Sequence, residues 1–259
     1  MAKSRMRRRA APRRNGAIPG RTARPTSGII PAVNRALHIA SIALITAGIV
    51  ILADVATTLA WREPVSSVYG SIQQHEAAGE LADLEESFPS SADLRRIARV
   101  RGPDRKVGVL ADLFAKRVQA GEAVGRIVIP AIDLSVVAVQ GTDTASLQKG
   151  PGHYPDTPFP GQGGTTAFAG HRTTYLAPFR HLDALSRGDE VEVEMPYATF
   201  SYRVQGTRVV SPSDVGIVHR VGYDRLVLTA CHPLYSAAER IVAFAKLVRV
   251  RGVSAAIRR

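Results

Sequence analysis

Cysteine is nearly absent from this chain of 259 residues, which contains only Cys231. One thiol excludes an intramolecular disulfide framework and a zinc site built from several cysteines. The sequence also lacks a Walker phosphate loop, a G-x-G-x-x-G dinucleotide fingerprint and an H-E-x-x-H zinc motif. The commonest nucleotide-binding and metalloprotease classes are therefore without support.

Acidic residues are missing from residues 1–35, which hold ten basic side chains, and proline recurs there. This composition predicts a disordered basic tail. The remaining residues contain 24 basic and 22 acidic side chains, so the body of the protein is almost neutral. A folded nucleic-acid interface is not indicated, and we expect no nucleic-acid partner. Deletion of residues 1–35 should leave the main activity intact, whereas a nucleic-acid binder would lose it.

A long uncharged run follows the basic tail. Residues 36–53 comprise 18 positions without Asp, Glu, Lys or Arg, and a helix of that length reaches about 27 Å, enough for a hydrocarbon core. With the continuation to residue 60, the pattern predicts a membrane anchor over 36–60, with Trp61 as an interfacial aromatic. A buried core helix and a cleaved signal peptide are the alternatives. Positive charge stays on the cytoplasmic side, which predicts a single-pass protein of the cell membrane with an extracellular body.

The amino-acid composition changes twice after the anchor. Residues 61–122 are charged and helical in composition, and they read as an extracellular stalk or linker. From about residue 123 to 252, short runs rich in Val, Ile, Phe, Tyr and Thr are separated by Gly, Pro and Asp. Seven or eight such strands predict a closed or nearly closed β-barrel. Residues 253–259 form a second short basic tail.

Cys231 ends the strand-like run RLVLTAC, and Pro233 should break the strand just beyond it. A free cysteine is often a small buried hydrophobe, but a strand end at a barrel rim favours an exposed nucleophile. Adjacent strand residues point to opposite faces, so His232 is badly placed to contact the thiol. His171 also follows a strand-like run, TTAFAG, in which Gly170 allows a close approach. We therefore predict that His171 is the partner of Cys231.

Arg240 opens the next strand-like run, RIVAFAKLV. If the segment between Cys231 and Arg240 is a loop, the arginine returns to the neighbourhood of the cysteine. A guanidinium is always charged and cannot act as a base. It can stabilise an oxyanion or hold a peptide carbonyl.

The order His171, Cys231, Arg240, with a cysteine ending a T-L-x-T-C-like strand, resembles the sortases, which are membrane-anchored cysteine transpeptidases. The strings GPGHYPDTPFPGQGG, FAGHRTTYLAPFRHLDAL and CHPLYSAAER are similar to class E sortases of high-GC actinobacteria. The resemblance covers about residues 123–251. It implies a mainly β fold, the eight-stranded sortase barrel with short helices, preceded by a transmembrane helix and a helical stalk.

The resemblance also implies a reaction. The Cys231 thiolate attacks the Thr–Gly bond of an LPXTG- or LAXTG-like sorting signal, and His171 protonates the leaving amine. An amine of a peptidoglycan precursor then resolves the thioester, while Arg240 holds the substrate or the oxyanion. The implied partners are secreted proteins with C-terminal sorting signals and the cell-wall precursor. This chemistry requires no metal and no cofactor.

The sequence departs from the family strand at two positions. Val227 and Ala230 replace the two threonines of T-L-x-T-C, and Ala230 removes a hydroxyl next to the nucleophile. A related enzyme that mainly hydrolyses its thioester remains an alternative. A catalytically weak, membrane-tethered β-barrel that binds peptide or cell-wall material is another. The lid motif of pilus-building sortases is absent, which favours a housekeeping anchoring role.

Overall fold

The computed structural model describes the backbone of residues 29–60 and 64–252, and the side chains of residues 35–57 and 66–252. The predicted tail 253–259, most of the predicted tail 1–35, and Trp61 lie outside the described residues. The chain divides into two units, residues 1–54 and 55–259.

Among the described residues, four helices come before the first strand, and a fifth lies between the second and third strands. The helices are α1 (Ile29–Ala60), α2 (Pro64–Ser87), α3 (Ser91–Ala98), α4 (Pro103–Ala115) and α5 (Thr144–Lys149). The strands are β1 (Ala123–Ile129), β2 (Leu134–Gln140), β3 (Gly152–His153), β4 (Thr165–Ala169), β5 (Glu190–Met195), β6 (Ala198–Val210), β7 (Arg225–His232) and β8 (Glu239–Gly252). Three short 3-10 turns join them, at Pro130–Ile132, Leu182–Ala184 and Val215–Val218.

Helix α1 contains an apolar stretch, Arg35–Thr57, with a mean hydropathy of 2.3 and no buried share. Its length and composition suffice to cross a membrane. The helix begins at Ile29, seven residues before the predicted start of the anchor.

The eight strands form a closed barrel in the order β1-β2-β3-β4-β7-β8-β6-β5, which confirms the predicted architecture. Strand β5 shows why these runs form a barrel wall. Its valines and Met195 are buried, while the three glutamates between them are half exposed. Because side chains alternate between the two faces of a strand, the period-two pattern places one row in the core.

The segment interpreted as a stalk is instead part of the folded unit. Phe114 of α4 is fully buried, and its ring lies 5.3–5.5 Å from the rings of Phe88, Phe159 and Tyr197. Rings at these separations contribute beyond the area they bury. Helices α3 and α4 therefore complete the barrel core, and the linker interpretation of residues 61–122 is wrong for this part.

Helix α2 is held against the barrel by a polar side chain. Gln74 donates to the carbonyl oxygens of Val137, at 2.9 Å, and Lys149, at 2.6 Å, and accepts from the Val137 N–H at 2.9 Å. All three contacts are to backbone, so Gln74 pairs with β2 much as a strand would. The charged exterior of α2 hides this docking from sequence analysis.

Candidate functional site

Cys231 lies one residue before the end of β7 and is half buried. The preceding residue, Ala230, is 3% exposed and belongs to the barrel core. Since neighbouring strand residues point to opposite faces, the Cys231 side chain lies on the outer face. Thr229 and Val227 share that face with it.

His171 follows the end of β4, which runs parallel to β7 with Ala169 opposite Thr229. The pairing continues for one further residue, because the Gly170 N–H donates to the Thr229 carbonyl at 2.9 Å. Neighbouring strands lie about 4.8 Å apart, so the next residue along, His171, is brought beside Cys231. A side chain at Gly170 would come within 2.5 Å of the Phe179 ring, which explains the glycine.

Arg240 lies on β8, on the other side of β7 from His171. Strands β7 and β8 are antiparallel, and Cys231 is registered directly opposite Arg240, a separation of about 5 Å between Cα atoms. One terminal nitrogen of Arg240 donates to the carbonyls of Ala237 and Glu239, both at 2.9 Å. The structure therefore brings the three predicted residues to adjacent strand ends. We call them the His–Cys–Arg row.

The His171 ring is partly buried beside Tyr175. Its Nε2 is buried and has no hydrogen-bond partner within the part of the chain that the structure describes. The ring centroid lies 5.0 Å from that of Tyr175. Burial lowers the pKa of His171, because desolvation disfavours the imidazolium.

His232 is engaged elsewhere. Its Nδ1 lies 2.7 Å from Nη1 of Arg172, the residue after His171. The side chain of Arg172 is 2% exposed and also pairs with Asp183 at 2.8 Å. Sequence reasoning missed Arg172, because nothing in the local pattern links it to a histidine sixty residues later.

Below the row, the same outer face forms an apolar strip. Ala167, Val227 and Val242 are fully buried there beneath Ile217 of the 3-10 turn Val215–Val218. Between the strip and the row, the Tyr154 hydroxyl lies 2.9 Å from Thr229 Oγ1. A surface cavity of about 420 Å³ adjoins the lower end, beside Ile217. The outer face thus carries buried apolar side chains at one end and the thiol of Cys231 at the other.

The two departures from the family strand fall on opposite faces. Ala230 points into the barrel core, away from Cys231. Val227 lies four residues from the thiol under Ile217, a distance of about 13 Å along a strand. The side chain of Ala230 therefore faces away from Cys231, although the two residues are adjacent in the chain.

Comparison with known proteins adds an independent finding. A family model described as the sortase domain matches residues 127–248. The chain is 33% identical over 134 residues to Sortase D of Bacillus subtilis, covering 50% of this chain and 66% of the relative. It is 30% identical over 149 residues to Sortase SrtE1 of Streptomyces coelicolor, covering 51% of this chain and 42% of the relative.

A solved structure, of sortase E from Streptomyces avermitilis, is 32% identical, with a TM-score of 0.48, and covers 54% of this chain and 99% of the other. The chain spans less than two thirds of the length of the two curated relatives. The residues that the family model matches lie within the barrel.

Proposed function

The chain belongs to the sortase family, with similarity to class E, and from that premise we propose that it is a cysteine transpeptidase acting on a sorting signal of the LPXTG or LAXTG type. The observation that supports the proposal is the His–Cys–Arg row, in which the backbone register brings His171 and Arg240 to either side of Cys231 on three adjacent strand ends. A nucleophile, a base and a cation within one such row are the parts that acyl transfer needs.

The first half-reaction transfers the acyl group to sulfur. His171 takes the proton of Cys231, and the thiolate attacks the carbonyl carbon of the threonine in the Thr–Gly bond. The carbonyl oxygen becomes negative, and Arg240 stabilises that charge or holds the peptide. When the tetrahedral intermediate collapses, the C–N bond breaks and the imidazolium of His171 protonates the departing glycine amine. A thioester on Cys231 remains.

The second half-reaction consumes the thioester. An amine of a peptidoglycan precursor attacks the same carbonyl carbon, His171 accepts the amine proton, and the thiol leaves with a proton returned to sulfur. Water in place of the amine gives hydrolysis.

We also propose the topology that fits this chemistry. Helix α1 anchors the protein in the cell membrane as a single span, with the basic N-terminus in the cytoplasm and the barrel outside, where secreted proteins and cell-wall precursors are found. Protease added to intact cells should digest an epitope tag placed at the C-terminus and spare one at the N-terminus. The reverse pattern would refute the orientation.

Mass spectrometry tests the reaction. The full-length protein in detergent is incubated with an LAETG peptide and an LPETG peptide, each in separate reactions. Cleavage between Thr and Gly, with an acyl adduct on Cys231 that is absent from Cys231→Ala, supports the enzyme and ranks the two signals. Addition of a glycine amide acceptor separates transfer from hydrolysis by the mass of the product.

A catalytically weak barrel that only binds peptide predicts a different result. The folded protein would then bind the peptides without an adduct and without cleavage. The core position of Ala230 and the burial of Val227 beneath Ile217 support the enzyme over this alternative, since neither side chain faces the thiol.

A further inference from the structure

Arg172 is a buried cation immediately after His171. Its three guanidinium nitrogens each have a different partner. Nε donates to the Arg180 carbonyl at 3.2 Å, Nη1 to His232 Nδ1 at 2.7 Å, and Nη2 to Asp183 at 2.8 Å. A charge with 2% exposure is tolerated only when it is paired and hydrogen-bonded in this way. Its partners lie on two different segments of the chain.

The contact with His232 has a defined chemical form. A guanidinium has donors only, so Nδ1 of His232 must accept and its proton must reside on Nε2. The bond joins the residue after His171 to the residue after Cys231. The β4–β7 pairing ends at the bond from Gly170 to Thr229, two residues before Arg172 and three residues before His232. The Arg172–His232 bond therefore extends the link between the two chain segments past the end of the β4–β7 pairing.

The segment that follows Arg172 needs such an anchor. Tyr175, Leu176 and Ala177 have φ values of 49°, 64° and 45°, in the left-handed region that side chains other than glycine's rarely adopt. Backbone of this kind persists only where its surroundings hold it. Arg172 binds the far end of this loop through Arg180 and Asp183.

We propose that Arg172 is a positioning residue, which, acting through His232 and the 172–183 loop, holds His171 within proton-transfer distance of Cys231. The proposal rests on the proposed function, since it assumes that His171 and Cys231 form a working pair. Arg172 itself touches no reacting atom. Its loss should allow the His171 segment to relax away from β7.

Arg172→Met removes the three hydrogen bonds and retains a long apolar side chain. We expect the rate constant of acyl-enzyme formation at saturating LAETG peptide to fall by roughly 10- to 100-fold, since a misplacement of about 1 Å can have an effect of that size. KM should change by less than about threefold, because the Arg172 side chain is 2% exposed and offers no surface to the peptide. Arg172→Lys keeps the charge and should recover part of the rate. His232→Ala tests the same bond from its other end and should reproduce part of the loss.

A matched control separates positioning from general stability. Arg117 pairs with the buried Asp93 at 2.9 Å, on the α3–α4 side of the protein. Arg117→Met also breaks an ion pair with one buried partner and should lower the melting temperature while leaving the acylation rate per folded molecule within about twofold of the wild type. The double variant R172M/H232A should be no slower than R172M alone. The bond that His232→Ala removes is already absent from R172M, so the second change has no further effect.

Thiol alkylation gives a readout that needs no peptide. Cys231 is the sole cysteine, so iodoacetamide labels one site. In the wild-type background, His171→Ala should change the alkylation rate, because the imidazole acts on the thiol. In the Arg172→Met background the same change should have no further effect. Both measurements use the full-length chain in detergent.

The outcomes distinguish the two proposals. If His171→Ala leaves alkylation unchanged in the wild type, the His–Cys pair of the proposed function is wrong and the role of Arg172 is overturned with it. If that effect is present and persists at full size in Arg172→Met, the positioning role alone is overturned. A drop in acylation that only tracks the loss of folded protein, as in Arg117→Met, also overturns it.

Discussion

Restoring the family's threonine at position 230 should destabilise this protein without accelerating it. Ala230 is 3% exposed, and its register partner on β8 is Ile241, itself 3% exposed. Ala230→Thr adds a methyl and a hydroxyl to a close-packed interior. Overpacking of this kind typically costs about 1–3 kcal/mol. For a unit of this size each kcal/mol lowers the melting temperature by about 2–4 °C, so we expect a decrease of about 2–12 °C.

The assay combines thermal unfolding with two rates measured on Cys231, alkylation by iodoacetamide and acylation by LAETG peptide, both per folded molecule. Both rates should stay within about twofold of the wild type, because position 230 faces away from the thiol. Ala243→Thr provides a matched control, since Ala243 is 2% exposed on the interior face of β8. An Ala230→Thr protein that melts at the wild-type temperature and acylates several times faster would refute the assignment of the two faces.

Three further predictions concern the surroundings of the site. Burial lowers the pKa of His153 to about 4. The unfolded chain therefore binds a proton at this residue near pH 6.5, whereas the folded chain binds it only near pH 4. The free energy of unfolding should therefore fall by about 3 kcal/mol from pH 6.5 to 4, and denaturant titrations of His153→Gln should show a flatter profile. Gly70→Val should slow acylation by roughly tenfold in the peptide assay while helicity is retained. A Cβ at Gly70 would lie 3.0 Å from the Tyr175 carbonyl carbon, in the loop after His171. An unchanged rate would show that the packing of α2 against this loop does not affect the site. Phe114→Ala should cost about 3–5 kcal/mol in denaturant unfolding, since Phe114 is fully buried against Tyr197; a loss below 1 kcal/mol would restore the stalk interpretation.

The barrel was predictable because its strands carry a local signal. The run ATFSYRVQGTRVV coincides with β6, and its first half alternates between buried and less buried positions except at Ser201, which is buried where the register shifts. A half-buried strand must follow this period, so the pattern survives in the sequence without knowledge of the partners. The positions of Cys231 and His171 at strand ends followed from the same reasoning, with Pro233 and Gly170 as the boundary signals.

The role of residues 64–115 was not predictable by the same means. Their helices bury a few large side chains, among them Phe88 and Phe114, against strands more than forty residues further along the chain. Charged residues cover the remaining faces, and such a composition is typical of a solvated stalk as well. Only the tertiary contacts distinguish the two arrangements. The Arg172–His232 bond is hidden for a related reason, since each residue is locally an ordinary polar residue beside a more conspicuous neighbour.

The two dipeptides His171-Arg172 and Cys231-His232 are best understood together. Period-two alternation in β7 directs Cys231 outward and His232 to the other face, where it meets Arg172. A slip of one residue in the β4–β7 register would exchange the faces of an entire strand. It would turn Cys231 toward the core, carry Ala230 to the outer face and separate His232 from Arg172. The buried bond exists only in the register that presents the thiol, so the same contact that orders the loop after His171 also selects against the arrangement in which Cys231 is an inert core residue.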